Sequence, residues 1–189
     1  DGVLSPLSIP CFTKPVTAAT IEQPYQANRR LSLASDLDGK LLVAGVGDTR
    51  AILGGPEKDK IQIMTAKHNP ADPVEKSRIQ RMGGEVKVFP DEPPIAETGQ
   101  GRVFARGDWS PGLAVARAFG DLSAKVVGVV VTPDIRTADT AAAVDEGGNG
   151  QVLIIASDGV WDVIDDATAM QLCLTYAARK DAKAAAQTL

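Results

Sequence analysis

Two short apolar runs separated by a Gly-Asp pair give a clear structural signal in this chain. Residues 40–46 and 49–53 are rich in aliphatic side chains, and Gly47 with Asp48 is typical of a tight hairpin turn. Residues 61–64 alternate between apolar and polar side chains, as a third short strand does. The pattern therefore predicts a β-hairpin followed by one more strand.

Further apolar runs predict additional strands. These runs are residues 86–89, 102–105, 126–131 and 152–156. The last two are nearly continuous, which is typical of strands that are buried on both faces. Residues 1–39 are punctuated by prolines and keep no helical or strand period, so they predict an irregular segment. The predicted globular domain then covers residues 40–189.

Helix signals are strongest in two places. Asp72 is a predicted N-cap, and Glu75 occupies the position that completes a capping box. Asp165 or Asp166 is predicted to cap a second helix, and the alanine-rich residues 182–189 favour a third. Helices combined with several strands predict an α+β domain.

The core of this domain must be built mainly from aliphatic side chains, because aromatic residues make up only 4% of the chain. The side chains predicted to be buried are Leu42, Val43, Val46, Ile52, Leu153, Ile155 and Trp161.

Composition narrows the range of functions. The formal net charge is −4, which argues against a nucleic-acid or anionic membrane surface, since both need basic patches. No apolar run approaches the roughly 20 residues of a membrane span. The two cysteines, Cys11 and Cys173, are far apart and predict no disulfide framework. This favours an intracellular protein, cytoplasmic or nuclear.

Acidic residues follow apolar strands in three places, at Asp48, Asp121 and the pair Asp158 and Asp162. Carboxylates at the rim of a sheet can converge on a hard cation, and Mg²⁺ and Mn²⁺ prefer such oxygen ligands. Each cluster taken alone is also an ordinary turn sequence. The chain has a single histidine and two cysteines, which argues against a structural zinc site.

Taken in order, these segments resemble the metal-dependent serine/threonine protein phosphatases of the PPM, or type 2C, family. Residues 43–53 (VAGVGDTRAIL) are similar to the family's VANxGDSRAVL strand pair, and residues 113–121 (LAVARAFGD) to its LAVSRAxGD motif. Residues 154–163 (IIASDGVWDV) are similar to LASDGLWDV. Two weaker matches lie at residues 65–84 and 133–135.

The resemblance implies a four-layer αββα sandwich, incomplete at both ends, with a two-metal site at one edge. It implies that Asp158 is a primary ligand of Mg²⁺ or Mn²⁺, with Asp48 and Asp162 close by. Arg117, Asp121 and Gly159 would support the site. The implied reaction is attack by a metal-activated water on phosphoserine or phosphothreonine of a protein substrate, with no side chain identified as acid or base. We expect Asp48, Asp158 and Asp162 to lie within about 8 Å of one another.

Departures from the family pattern leave a second interpretation open. The family's DGHGG segment, its early acidic segment and its last DN motif have no counterpart in this sequence. A non-catalytic binding or regulatory module of the same fold is therefore the alternative, and an unrelated α+β metal-binding protein a weaker one. The missing ligands predict weak metal binding and turnover near background for these residues. His68 lies outside DGHGG and is predicted to brace a loop.

Overall fold

The computed structural model describes residues 16–20, 31–37, 40–55, 60–139, 151–177, 179 and 181–189, the first two segments as backbone alone. The strands are β1 (Val16–Thr20), β2 (Leu31–Leu37), β3 (Lys40–Val46), β4 (Arg50–Gly54), β5 (Gln62–Ile63), β6 (Gly84–Lys87), β7 (Arg102–Ala105), β8 (Pro111–Leu113), β9 (Asp134–Asp139) and β10 (Gln151–Ala156). The helices are α1 (Pro73–Arg81), α2 (Ile95–Thr98), α3 (Leu122–Lys125), α4 (Asp158–Trp161), α5 (Asp166–Ala177) and α6 (Ala182–Thr188).

Two sheets face each other across an apolar core. The first has the strand order β1-β10-β4-β5 and the second the order β2-β3-β9. Leu41 and Val43 of β3 pack in one cluster with Leu53 of β4 and with Leu153 and Ile155 of β10. The predicted α+β sandwich is therefore confirmed.

Helices cover the outer face of the first sheet. Because side chains alternate along a strand, Val152 and Ile154 of β10 point away from the inter-sheet core. They pack instead against Ala169, Met170 and Cys173 of α5, in a cluster that also includes part of α6. The described residues thus form three successive layers, one of helices and two of strands.

A third sheet, β6-β7-β8, forms a separate core with α1. Ile79 of α1 and Val103 of β7 are fully buried in this cluster. The close approach of α1 to the sheet depends on Gly84, where a Cβ would lie 2.7 Å from Cγ2 of Ile79. The turn before it uses Gly83 at a φ of +84°, a conformation that glycine adopts without strain.

The predicted core is confirmed at five positions and is only partly buried at two. Val43, Val46, Ile52, Leu153 and Ile155 are buried. Leu42 and Trp161 are half-buried. Leu42 lies between two residues that face the inter-sheet core, so its own side chain points to the opposite face of β3.

The predicted hairpin at Gly47 and Asp48 is wrong. β3 and β4 belong to different sheets, so residues 47–49 carry the chain across the sandwich. Ala51, Ile52 and Leu53 of β4 are all buried, which suits a strand covered on both faces. β3 alternates instead, as expected for a strand whose second face is less covered.

The strand predicted over residues 126–131 is also wrong. Only Val130 of this run forms a bridge, to Arg117. Gly128 has a φ of +100°, which interrupts any extended run, and it belongs to the turn that follows α3. Val126 is 72% exposed, whereas Val129 is buried in the core beside α1.

Two strands lie within the segment predicted as irregular. β1 pairs in parallel with β10, and β2 pairs antiparallel with β3. Both partners are distant or strongly apolar strands, so pairing with them compensates for the weak local pattern.

The predicted helix starts are confirmed. The side chain of Asp72 accepts hydrogen bonds from the amides of Val74 and Glu75, at 2.9 and 3.4 Å. Asp165, rather than Asp166, caps α5 through the amides of Ala167 and Thr168. The alanine-rich segment forms α6 as expected.

Candidate functional site

Three carboxylates lie at one end of the sandwich. β4 begins where β10 ends, because Arg50 pairs with Ala156. Asp48 precedes Arg50 by two residues, and Asp158 follows Ala156 by two. In the second sheet, β9 begins at Asp134 opposite the end of β3. The topology therefore brings Asp48, Asp134 and Asp158 to the same end of the two sheets.

The crossover that carries Asp48 is fixed by side chains from the segment before α1. The hydroxyl of Thr65 accepts a hydrogen bond from the amide of Ala51 at 2.9 Å and donates one to the carbonyl of Thr49 at 3.3 Å. His68 fixes the other side of the crossover through Gly47. Asp48, half-buried between these anchors, is consequently held on a well-braced turn.

His68 is a buried residue with three hydrogen bonds. Its Nδ1 accepts a hydrogen bond from the amide of Gly47 at 3.0 Å. Its backbone amide donates to the carbonyl of Gly47 at 2.8 Å, and its carbonyl accepts from the amide of Ala116 at 2.8 Å. Its Nε2 lies 3.2 Å from Oδ2 of Asp134. The predicted bracing role of His68 is confirmed.

An ionic network extends from the half-buried Asp134 to the buried Glu75 of α1. Arg117 donates to Oδ1 of Asp134 at 2.9 Å and to Oε1 of Glu75 at 3.0 and 2.6 Å. Arg78 lies 2.6 Å from the other oxygen of Glu75 and donates to the carbonyls of Ala116 and Gly128. Arg117, a predicted supporting residue, is thus the central cation of this network.

The role of Glu75 as the buried anion of this network was not predicted from the sequence. Its capping-box position predicts a bond back to the start of α1, but its carboxylate is buried and bound by Arg117 and Arg78. The spacing of Glu75 and Arg78, three residues apart on one helix, was the available signal. Its other partner, Arg117, is 42 residues away in the sequence.

The network shifts the pKa values of its members in directions that follow from their surroundings. Burial is the main cause that lowers the pKa of His68 below 6.5, and the nearby charge of Arg117 adds to it. Burial pushes the pKa of Glu75 upward, but Arg117 and Arg78 outweigh it and leave that pKa below 4.5. Burial also opposes ionisation of Asp134, yet Arg117 and His68 hold its pKa below 3.8.

These shifts predict a stability that depends on pH. Folded His68 binds a proton less readily than the unfolded chain, so protons favour unfolding once the pH falls below 6.5. We expect the free energy of unfolding, measured with urea, to be lower at about pH 5.5 than at about pH 7.5. The charged groups facing His68 are Asp134, Arg117 and Glu75.

The control for this prediction is His68→Asn, which removes the chain's only histidine. This variant should lose the slope between the two pH values. It should keep the acid destabilisation from Glu75 and Asp134, which starts as the pH falls below 4.5 and 3.8. Equal stability of the unmutated protein at both pH values would contradict the assignment.

The segment that carries Asp158 is tied to both sheet and helices. Asp158 is exposed and opens α4, whereas the indole of Trp161 donates to the carbonyl of Ala156 at 2.8 Å. The guanidinium of Arg50 lies 4.5 Å from the centroid of that indole ring and forms an ion pair with Asp166. Arg50 therefore braces the adjoining ends of β4 and β10.

The remaining predicted site residues are Asp162, Gly159 and Asp121. Gly159 is an exposed residue of α4, and Asp162 is the exposed C-cap of that helix. Asp121 adopts a left-handed backbone at a φ of 47° before α3, and its side chain makes no capping hydrogen bond to that helix. Burial lowers the pKa of nearby Lys125, and the charge of Asp121 only partly opposes that shift.

The described carboxylates do not complete a metal site by themselves. Among the residues that the structure describes, no three His, Cys, Asp or Glu side chains are grouped so that they could hold an ion. A hydrated Mg²⁺ needs one or two carboxylates, and a two-metal site needs more. The assignment of Asp48, Asp158 and Asp162 as ligands stays a prediction.

The cysteines offer no nucleophile in the described structure. Cys173 is buried in α5, and burial raises the pKa of its thiol to about 11. Cys11 lies outside the described residues. Arg179 and Lys183 are exposed. In the described part of the chain, no helix is long and apolar enough to span a membrane.

Comparison with known proteins identifies the family. The sequence model described as protein phosphatase 2C matches residues 31–189, from β2 through α6. The chain belongs to the protein phosphatase 2C family. The matched stretch includes the crossover at Asp48, the ionic network around Arg117 and the strand that precedes Asp158.

Curated relatives agree with this membership. A probable protein phosphatase 2C 18 of Arabidopsis thaliana is 36% identical over 145 residues, covering 75% of this chain and 27% of the relative. A probable protein phosphatase 2C 48 of Oryza sativa subsp. japonica is 34% identical over 181 residues, covering 87% and 48%. This chain therefore spans about a quarter to a half of the length of these relatives.

Solved structures support the fold. The crystal structure of a serine-threonine phosphatase 2C from Toxoplasma gondii matches with a TM-score of 0.63 and 24% identity, over 83% of this chain and 51% of that one. A phosphatase from a pathogenic strain of Toxoplasma gondii matches at 0.54 with 28% identity, over 79% and 42%. The sandwich of this chain is thus a phosphatase 2C fold.

Proposed function

We propose that this chain is part of a metal-dependent serine/threonine protein phosphatase that acts on phosphorylated proteins. The observation that carries the proposal is the family match over residues 31–189, which includes both strand ends that bring Asp48 and Asp158 to one end of the sandwich. The acidic chain and widely spaced cysteines support an intracellular site of action without nucleic-acid or membrane partners.

In this proposal, Asp158 is a primary ligand of Mg²⁺ or Mn²⁺ and Asp48 and Asp162 lie near it. The ion would supply an activated water as nucleophile. The chain's own contribution is rigidity: Arg50 and Trp161 hold the strand end before Asp158, and the anchors of residues 47–49 hold Asp48. Arg117 stabilises this arrangement indirectly, through its ion pair with Asp134.

A non-catalytic binding module of the same fold is the second candidate. It is favoured by one observation, that the described His, Cys, Asp and Glu side chains form no group of three able to hold an ion. The two candidates differ in what happens to a phosphorylated ligand. The phosphatase hydrolyses it, whereas the module binds it unchanged.

The deciding experiment measures phosphate release from a phosphothreonine peptide with Mn²⁺ or Mg²⁺, using this chain and the full-length gene product that contains it. We expect metal-dependent release by the full-length protein and turnover near background for residues 1–189 alone. Asp158→Asn should abolish release, whereas the matched exposed control Asp91→Asn should not.

Metal binding provides a second readout for the same variants. Isothermal titration with Mn²⁺ should show weaker binding to the Asp158→Asn full-length protein than to the Asp91→Asn protein. A full-length protein that binds the peptide but releases no phosphate at saturating metal would overturn the phosphatase proposal and support the binding module. Turnover by residues 1–189 alone that Asp158→Asn abolishes would overturn the expectation of an incomplete ligand set.

A further inference from the structure

One buried side chain connects the ionic network with the crossover that carries Asp48. His68 is the only histidine in the chain and is 2% exposed. It contacts Gly47 twice, through its backbone amide at 2.8 Å and through its Nδ1 at 3.0 Å. Both polar groups of Gly47, its amide and its carbonyl, are therefore bound by this one residue.

The hydrogen bond fixes the protonation state of the imidazole. Nδ1 accepts a hydrogen bond from the amide of Gly47, so Nδ1 itself carries no proton. In the neutral ring the proton is then on Nε2, which lies 3.2 Å from the carboxylate of Asp134. Arg117 in turn donates to that carboxylate at 2.9 Å, so the group that faces Nε2 is itself held in place.

We propose that His68 is a positioning residue that fixes the backbone at Asp48 by holding the amide of Gly47 with the unprotonated Nδ1 of a neutral imidazole. The proposal rests on the proposed function only in that Asp48 is a candidate ligand there. Gly47 precedes Asp48 directly and has a φ of 96°, in the positive-φ region that glycine adopts readily. Without restraint, its backbone has more conformational freedom than that of other residues. Clamping both polar groups of Gly47 removes that freedom.

Two other roles fit these contacts less well. A general acid or base must reach the substrate, but this ring is buried and each of its nitrogens faces a protein group. A merely space-filling side chain would leave the amide of Gly47 without its acceptor in the interior, which is costly. The geometry therefore selects an acceptor at one particular position of the ring.

The first test is spectroscopic and needs no variant and no metal. Nitrogen-15 chemical shifts of the imidazole in residues 1–189 distinguish the two tautomers, and the single histidine makes the assignment unambiguous. We expect a neutral ring at pH 7 with the proton on Nε2, and slow hydrogen exchange at the amide of Gly47. A ring protonated at Nδ1 would overturn the proposal.

The second test compares variants that place an acceptor differently. In His68→Asn the side-chain oxygen takes the position of Nδ1, whereas His68→Gln extends its amide toward Asp134 and His68→Leu has no acceptor. We expect exchange of the Gly47 amide to be roughly tenfold faster in the leucine variant and near that of the unmutated protein in the asparagine variant. Equal exchange in all variants would overturn the proposal.

Activity of the full-length protein gives a separate arm. There, His68→Leu should lower kcat more than it changes KM, and His68→Asn should restore kcat. If the full-length protein has no activity, the proposed function fails, while the tautomer and exchange measurements still decide the role of His68. If His68→Leu does not fold, the tautomer of the unmutated chain and the exchange in His68→Asn decide it.

Discussion

Replacing Arg117 with alanine is expected to lower the free energy of unfolding by about 3–5 kcal/mol, the cost of breaking a buried ion pair by removing one partner. The side chain of Arg117 is 15% exposed, and its guanidinium binds the carboxylates of Glu75 and Asp134 as well as the carbonyl of Thr132. Its loss leaves Glu75, whose side chain is 5% exposed, with Arg78 as its remaining described cation. Urea denaturation of residues 1–189 measures the effect.

A matched control separates the network from the general effect of losing an arginine. Arg81→Ala removes an exposed arginine from the last turn of α1 and should change the stability by less than about 0.5 kcal/mol. The double variant Glu75→Ala, Arg117→Ala should be more stable than the sum of the single effects predicts, because the buried charges disappear together. Additive effects would show that the two residues do not act as a pair.

The local pattern of the sequence predicted most strands and helix starts but not which strands pair. β10 and the cap of α1 were predictable, because a continuous apolar run and an Asp before Pro73 act within a few residues. The sheet membership of β3 and β4 was not, because a Gly-Asp turn fits both a hairpin and a crossover. Only the burial of every residue of β4 after Arg50 shows that it lies in a covered sheet.

The candidate site was predictable in its acidic residues and not in their supports. Asp48 and Asp158 follow apolar strands, and the pairing of Arg50 with Ala156 brings those strand ends together. Glu75 and His68 act through partners 42 and 21 residues away, and no local period carries that information. The acidic residues at the strand ends are therefore visible in the sequence, whereas the side chains that hold them in place become visible only in the tertiary fold.

Trp161→Ala is expected to cost about 3 kcal/mol, the lower end of the range for a buried aromatic, because the indole is only partly buried. The ring packs against the cluster beneath α5, supports the guanidinium of Arg50 at 4.5 Å and donates to Ala156 at 2.8 Å. Trp161→Phe keeps an apolar ring and loses the donor, so it should cost about 1 kcal/mol.

Comparing these two variants locates the effect of Trp161 within the site. If the indole holds the end of β10 in place, hydrogen exchange at Asp158 and its neighbours should accelerate in the alanine variant more than exchange in β3, which belongs to the other sheet. The phenylalanine variant should stay close to the unmutated protein in both places. An alanine variant as stable as the unmutated protein would show that neither the packing nor the indole hydrogen bond supports the strand end that carries Asp158.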